Sequence, residues 1–245
     1  MTPIALIRKL VRPTAARSAT VVSIRQHWGM LLPVVSGYER AAYRSWSQHG
    51  EDSMLVDLLR DELHRGFYVD VGANHPAVLS NTFRLYCLGM RGIIIEPNNV
   101  LCAFHARYRS RDKIVCAGIG DHDGLMEFHE LNYHAFSTFS LEEAEGRVRA
   151  GSLIVRHSLK PVFRLDTVLR DVTVGGRDVF SLLSIDTEGF DEIVVRSNNW
   201  QLYRPRYVLV EYNTAEARER TSHLLTSLGY KLMRNFGCNG LYAET

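Results

Sequence analysis

Short apolar runs alternate with amphipathic stretches from about residue 66 onward. Phe67–Val71 predicts a strand, Asn81–Leu88 a helix and Gly92–Glu96 a second strand. Val100–Arg109 reads as helical and Ile114–Ala117 as a third strand. Val179–Ile185 and Arg206–Val210 add two more strands, followed by helical segments over Glu192–Ser197 and Ala215–Ser227. Tyr230–Arg234 and Leu241–Ala243 close the series as an antiparallel hairpin. Apolar runs without polar alternation belong to strands buried on both faces, and their alternation with helices predicts a mostly parallel, Rossmann-like α/β sheet. The stretch 132–160 breaks the rhythm with His134, Glu142, Glu143, Glu145, Arg147 and Arg149. Insertions of that length are usually lids, binding loops or disordered segments.

Composition narrows the setting. A chain of 245 residues, 46% hydrophobic and 23% charged, suits one globular domain with an appendage. The domain is expected over 47–245, with 1–46 as a basic extension. The first 38 residues carry Arg8, Lys9, Arg12, Arg17 and Arg25 and no acid. Without those five, 24 basic residues face 27 acidic ones, so the body has no nucleic-acid footprint by net charge. Ile4, Ile7 and Val11 have helical spacing with Arg8, Lys9 and Arg12 opposite, a pattern for weak contact with an anionic membrane surface. Packing of this extension on the body is the favoured expectation. Trp28–Val35 is too short to span a bilayer, and Gly29 and Pro33 interrupt it. No secretory signal is read. Cys87, Cys102, Cys116 and Cys238 form no CxxC pair and fit buried thiols in a reducing, cytoplasmic setting.

Ligands of such sheets bind outside the C-terminal strand ends. Acids recur there: Asp70 with Gly72 and Asn74, Glu96, Asp121 after the third strand, Asp186 with Glu188, and Glu211 with Asn213. A single acid in such a place is ordinarily a helix cap, the reading kept for Asp166 and Asp191. The first turn, Gly72-Ala73-Asn74-His75-Pro76-Ala77, lacks the GxGxxG that lets a pyrophosphate approach the backbone. It suits a ligand without phosphate. Glu96, ending the second strand, is placed to accept both hydroxyls of a ribose. Adenosine carrying a methionine tail fits both features, and Asp121 is assigned to the same cofactor-binding edge.

The sequence also resembles the FkbM-type methyltransferases, from Ser47 to about the C-terminus. The blocks carrying the resemblance are Ser47-Gln48-His49-Gly50-Glu51-Asp52, Tyr68-Val69-Asp70-Val71-Gly72-Ala73-Asn74-His75-Pro76 and Ser80-Asn81-Thr82. Further along come Arg91-Gly92-Ile93-Ile94-Ile95-Glu96-Pro97-Asn98, Leu183-Ser184-Ile185-Asp186-Thr187-Glu188-Gly189-Phe190-Asp191 and Arg204-Pro205-Arg206-Tyr207-Val208-Leu209-Val210-Glu211. The resemblance implies a class I methyltransferase fold, S-adenosylmethionine as donor, and O-methylation of sugar, glycolipid or polyketide hydroxyls. It places Asp70, Gly72, Asn74 and Glu96 in the cofactor pocket, and Asp186 and Glu188 beside the transferred methyl. Residues 1–46 and the stretch 132–160 match nothing in the family pattern, and the acceptor is expected to be read there.

Methyl transfer requires alignment of acceptor and methyl, and help for an alcohol in losing its proton. A carboxylate serves as general base, or a metal lowers the hydroxyl pKa. Asp186 and Glu188 are the catalytic candidates. Asp186, Glu211 and Asn213 offer only oxygen donors, which suits Mg²⁺ or Ca²⁺ and not zinc. Both versions stay open. His75 and His134 are alternative bases, with His75 favoured as a turn residue. Cys116 is expected in the core, Tyr203, Pro205 and Tyr207 at the start of a strand, and Arg107, Arg109 and Arg111 on a solvated helix end. Two rival functions share the sheet. A nicotinamide-dependent oxidoreductase would keep Glu96 but want GxGxxG, and a silent nucleoside-binding domain would have lost the acids at 186 and 211.

Overall fold

The computed structural model describes residues 45–172 and 179–245. The amphipathic segment around Ile4–Arg12 and the run Trp28–Val35 lie outside the described residues.

A short helix, α1 (Glu51–Leu58), precedes the first strand, β1 (Gly66–Val71). Helix α2 (Phe83–Cys87), strand β2 (Arg91–Ile95), helix α3 (Asn99–Tyr108) and strand β3 (Lys113–Val115) follow. After an excursion that includes helix α4 (Leu141–Arg149), the chain returns through helix α5 (Leu165–Asp171), strand β7 (Val179–Ile185), helix α6 (Asp191–Arg196) and strand β8 (Tyr207–Glu211). Helix α7 (Ala215–Ser227) and the strands β9 (Tyr230–Phe236) and β10 (Asn239–Glu244) complete it. The main sheet has the order β3-β2-β1-β7-β8-β10-β9. Its first five strands run parallel, and β10 is antiparallel to both of its neighbours. The expected mostly parallel sheet with a C-terminal antiparallel pair is therefore what the chain forms.

The burial explains the apolar runs. Val69, Val71, Ile93, Ile95, Leu183 and Ile185 face one core, with Val168, Val194 and Leu225 from the helices. Tyr68, Ile94, Leu182 and Leu209 face the other, with Leu55, Leu59 and Leu85. Successive strand residues thus alternate between two covered faces, and a polar group on either face must find a partner there.

The excursion was not read as sheet from the sequence. It contains strands β4 (Gly118–Ile119), β5 (Gly124–Leu131) and β6 (Ile154–Phe163), joined as a three-stranded sheet of order β4-β6-β5. Much of the stretch 132–160 is thus ordered: a 3-10 turn at His134–Phe136, α4 and most of β6.

Arg109 corrects another expectation. It is fully buried, donating to Asp112 (2.8 Å), to the Tyr68 hydroxyl (2.7 Å) and to Thr82 (2.9 Å). Tyr68 in turn donates to Asp112, at 2.7 and 2.9 Å. The basic run 107–111 is therefore not one solvated helix end. An aromatic hydroxyl and an acid within reach of its helix end made a buried site for the guanidinium.

Candidate active site

The connection order reverses between β1 and β7, and there the strand ends open a cavity of about 460 Å³. That volume is in the range of small-molecule sites. Gly72 makes the geometry possible. Its φ is +77°, and a Cβ there would stand 1.7 Å from the carbonyl oxygen of Asp186, so the turns after β1 and β7 touch. Asp186 N donates to Val71 O at 3.0 Å, and Gly72 N to Ile95 O at 2.9 Å, locking three strand ends together.

One end of the cavity is built around Glu96. The side chain is buried, its two oxygens accepting from Asn74 N (2.9 Å) and Asn98 N (2.7 Å). Burial raises its pKa from 4.5 to about 7, against the lowering effect of those two amides. Each oxygen keeps a second lone pair, enough for the two hydroxyls of a ribose. Asn74 adopts the left-handed region (φ 48°), which Asn tolerates better than most residues. Its side-chain oxygen meets His134 Nδ1 at 2.8 Å. Ile95, Pro97, Ile119, Phe128 and Phe139 add apolar wall nearby, suited to a flat base. Asp70 also lines the cavity, but its carboxylate is buried and accepts from Thr82, with the Arg109 charge close by.

The other end is acidic. Carboxylate oxygens of Asp186, Glu188 and Glu211 lie within 4.8 Å of one another. Burial pushes all three pKa values up: Glu188 to about 8 and Glu211 to about 7, with Asp186 well above the usual carboxylate range. The charge of Glu211 adds to the rise at Asp186, and the charge of Asp186 to that at Glu188. Such a cluster holds protons or a cation at neutral pH. Arg147 opposes the rise at Glu188 through a 2.8 Å ion pair. Glu211 Oε2 and Asn213 Nδ2 are buried with no hydrogen-bond partner among the described residues. Glu188 is a non-glycine residue at positive φ (52°), in a turn held by Asp191. Asp191 accepts from Thr187 N (2.9 Å) and Gly189 N (3.2 Å), so it shapes the turn as well as opening α6.

The structure thus brings Asp70, Gly72, Asn74, Glu96, Asp186, Glu188, Glu211 and Asn213 to one cavity. Asp121 is not among them. Its side chain is exposed and pairs with His122 at 2.6 Å, while Ala117, Gly118 and Ile119 supply the wall beside β3 and β4. It sits one residue past Gly120, which pairs back to Phe163, and the chain has already turned toward β5. His75 takes the turn role: its Nδ1 accepts from Ala77 N (3.1 Å) and Val78 N (2.9 Å). Burial lowers its pKa to about 4, so it stays neutral.

Several wall residues had no role in the sequence reading. Gln48 reaches the cavity because the Ser47–Asp52 block folds back on its own acids. Glu51 accepts from His49 N and Asn239 Nδ2, and Asp52 from Trp46 N. Cys238 lines the acidic end, where its thiol points at Glu211 (3.5 Å) and burial lifts its pKa to about 12. Tyr133, Phe136, Thr138 and Arg147 come from the excursion, beside His134, one of the two alternative bases the sequence offered. Thr138 donates to Glu188 O at 2.7 Å, and a Cβ on Gly189 would stand 2.6 Å from Glu143. The excursion is packed onto the turn that carries Glu188 and Gly189.

Residues 70–232 match the sequence model described as the methyltransferase FkbM domain. No curated protein sequence matches the chain. Among solved structures, it is similar to an O-methyltransferase from Bacillus cereus in complex with SAH, at 9% identity and a TM-score of 0.41, covering 98% of this chain and 96% of that one. It is also similar to the O-methyltransferase TomG from Streptomyces achromogenes in complex with SAM, at 11% identity and a TM-score of 0.41 over the full length of both. A 1,6-didemethyltoxoflavin-N1-methyltransferase from Burkholderia thailandensis shows 10% identity and a TM-score of 0.37, covering 94% of this chain and 90% of that one.

Proposed function

Because the chain belongs to the FkbM methyltransferase family and folds as a class I methyltransferase, we propose that it methylates a hydroxyl, with S-adenosylmethionine as donor. The acceptor class is a sugar, glycolipid or polyketide-type alcohol. One observation carries the reading. A single cavity has a buried carboxylate suited to a ribose at one end and three clustered carboxylates at the other.

The donor supplies an electrophilic methyl on a sulfonium, so the protein need only bind, align and remove a proton. Glu96 accepts the ribose hydroxyls, and the Gly72–Asn74 turn and Asp70 face the amino-acid end. Asp186 and Glu188 orient the acceptor hydroxyl. As the oxygen bonds to the methyl and the carbon–sulfur bond breaks, the hydroxyl proton passes to a carboxylate of the cluster. A base whose pKa lies near the working pH suits that transfer, and Glu188 and Glu211 are raised to that region. Tyr133, Phe136 and Arg147 give the excursion an aromatic and cationic wall with which to read the acceptor.

A second reading has its own support. Three partly buried carboxylates close together, one with an orphan oxygen, also suit a divalent cation with oxygen ligands. Asp186, Glu188 and Glu211 would hold Mg²⁺, with Asn213 beside them, and the ion would lower the acceptor pKa. Turnover is then lost in EDTA and restored by Mg²⁺, while donor binding survives. Full activity in chelator leaves the direct-base version.

The test of the function is incubation with S-adenosylmethionine and a panel of glycosides and hydroxylated polyketides, with products located by mass spectrometry and NMR. An O-methylated product is expected. A methyl group found on nitrogen or carbon, or donor that binds without any acceptor turning over, contradicts the proposal.

A further inference from the structure

The second sheet carries a cluster that methyl transfer does not use. Glu127 and His129 are two residues apart on β5 and so share a face. His157 on β6 stands directly opposite His129 in the antiparallel register. Phe128, between the two, lines the methyltransferase cavity, so the cluster lies on the other face of the strand. The Nδ1 atoms of His129 and His157 are 3.0 Å apart, with the rings at 84° to each other. Glu127 Oε1 is 3.9 Å from His157 Nδ1, and the three ligand atoms lie within 4.8 Å of one another.

We propose that Glu127, His129 and His157 form a binding site for a divalent transition-metal ion of the zinc type, separate from the methyl-transfer cavity. Tetrahedral zinc with bonds of about 2.0–2.1 Å sets its ligand atoms about 3.3 Å apart. The two nitrogens already stand close to that spacing, and a small rotation of the exposed Glu127 side chain brings in the third ligand. Two imidazoles and one carboxylate suit zinc in preference to magnesium or calcium. Three protein ligands leave a fourth position for water. Two facing Nδ1 atoms can share only one proton between them, whereas an ion accepts both lone pairs. The site joins neighbouring strands, so the ion acts as a clip. His129 N donates to Thr138 O and Thr138 N to His129 O, and Thr138 also donates to Glu188 O. The clipped strand is therefore the one that backs the acceptor wall.

The test uses the full chain with zinc alone as the probe, titrated against a chromophoric chelator and followed in parallel by thermal melting. His157→Gln and Glu127→Gln alter side chains that are 52% and 59% exposed, so neither should disturb folding. The wild type should take up one zinc ion tightly and melt at a higher temperature with it. Both variants should lose that step, and Asp186→Asn should keep it. No uptake by the wild type overturns the proposal. Uptake that survives both His157→Gln and Glu127→Gln, or that vanishes in Asp186→Asn alone, also overturns it, placing the ion elsewhere, in the latter case at the carboxylate trio.

Discussion

Single side chains carry the sharpest predictions. Burial raises Glu96 to about 7 from 4.5. The sign for stability is that of any raised acid: its contribution is complete below 4.5 and is lost as pH climbs through about 7. The proposed donor binding runs the opposite way, because an ionised Glu96 accepts from both ribose hydroxyls and its protonated form does not. Calorimetry with S-adenosylhomocysteine should therefore show affinity about tenfold weaker at pH 6 than at pH 8, with no such slope in Glu96→Gln. Asp186→Asn preserves shape but removes the carboxyl group proposed to take a proton or hold an ion. Turnover should fall by roughly 10²–10⁴-fold with donor affinity little changed. An enzyme that melts earlier yet methylates normally would make Asp186 a structural residue. Arg109→Met should cost about 3–5 kcal/mol in urea denaturation, since it strands the buried Asp112. A value within experimental error of zero would show that the buried network does not carry stability. The sequence showed the acids but not the meaning of Arg109, because a basic run on a helix end looks solvated until its partners from β1 and the turn before α2 are in place.

Elements differ in how plainly they announce themselves. Strands β1, β2, β7 and β8 were legible as apolar runs because both of their faces are covered. Strands β5 and β6 were not, since their sheet leaves Leu125, Val155 and Leu159 exposed and intersperses Glu127, Arg156, His157 and Lys160. Helix α1 was missed for a related reason: Glu51 and Asp52 look like surface acids, yet both are buried by donors from the preceding turn and from Asn239. The excursion was expected as a lid or acceptor-binding insertion, and its contacts with Glu188 and Gly189 make that role testable. Arg147→Ala or Thr138→Val should raise the acceptor KM while leaving the donor Kd within about twofold, a split that steady-state kinetics and calorimetry read separately. A weakened donor Kd with an unchanged acceptor KM would move the excursion's role to the cofactor. Gly72→Ala should abolish donor binding and lower the melting temperature, because its Cβ meets the Asp186 carbonyl and drives the β1 and β7 turns apart. Normal donor affinity in that variant would mean the two turns need not touch.

At the scale of the whole molecule, the strand order explains why acids scattered over 140 residues of sequence matter together. A parallel sheet points every strand's C-terminal end at one edge, and the reversal between β1 and β7 leaves a crevice there. Reading strand ends therefore found every acid that lines the cavity. It failed at Asp121, where the chain had already left the main sheet, and at Gln48 and Cys238, which arrive from turns outside the parallel strands. Among the described residues, no helix is long and apolar enough to cross a membrane. Donor binding and chemistry are proposed to occupy opposite ends of this one cavity. Calorimetric titration of S-adenosylhomocysteine into the wild type, Glu96→Ala and Asp186→Asn, with NAD as the control ligand, tests it most directly. Binding to the wild type and to Asp186→Asn is expected, with at least tenfold weaker binding to Glu96→Ala and none of NAD. Unchanged affinity in Glu96→Ala, or binding lost in Asp186→Asn alone, would contradict it.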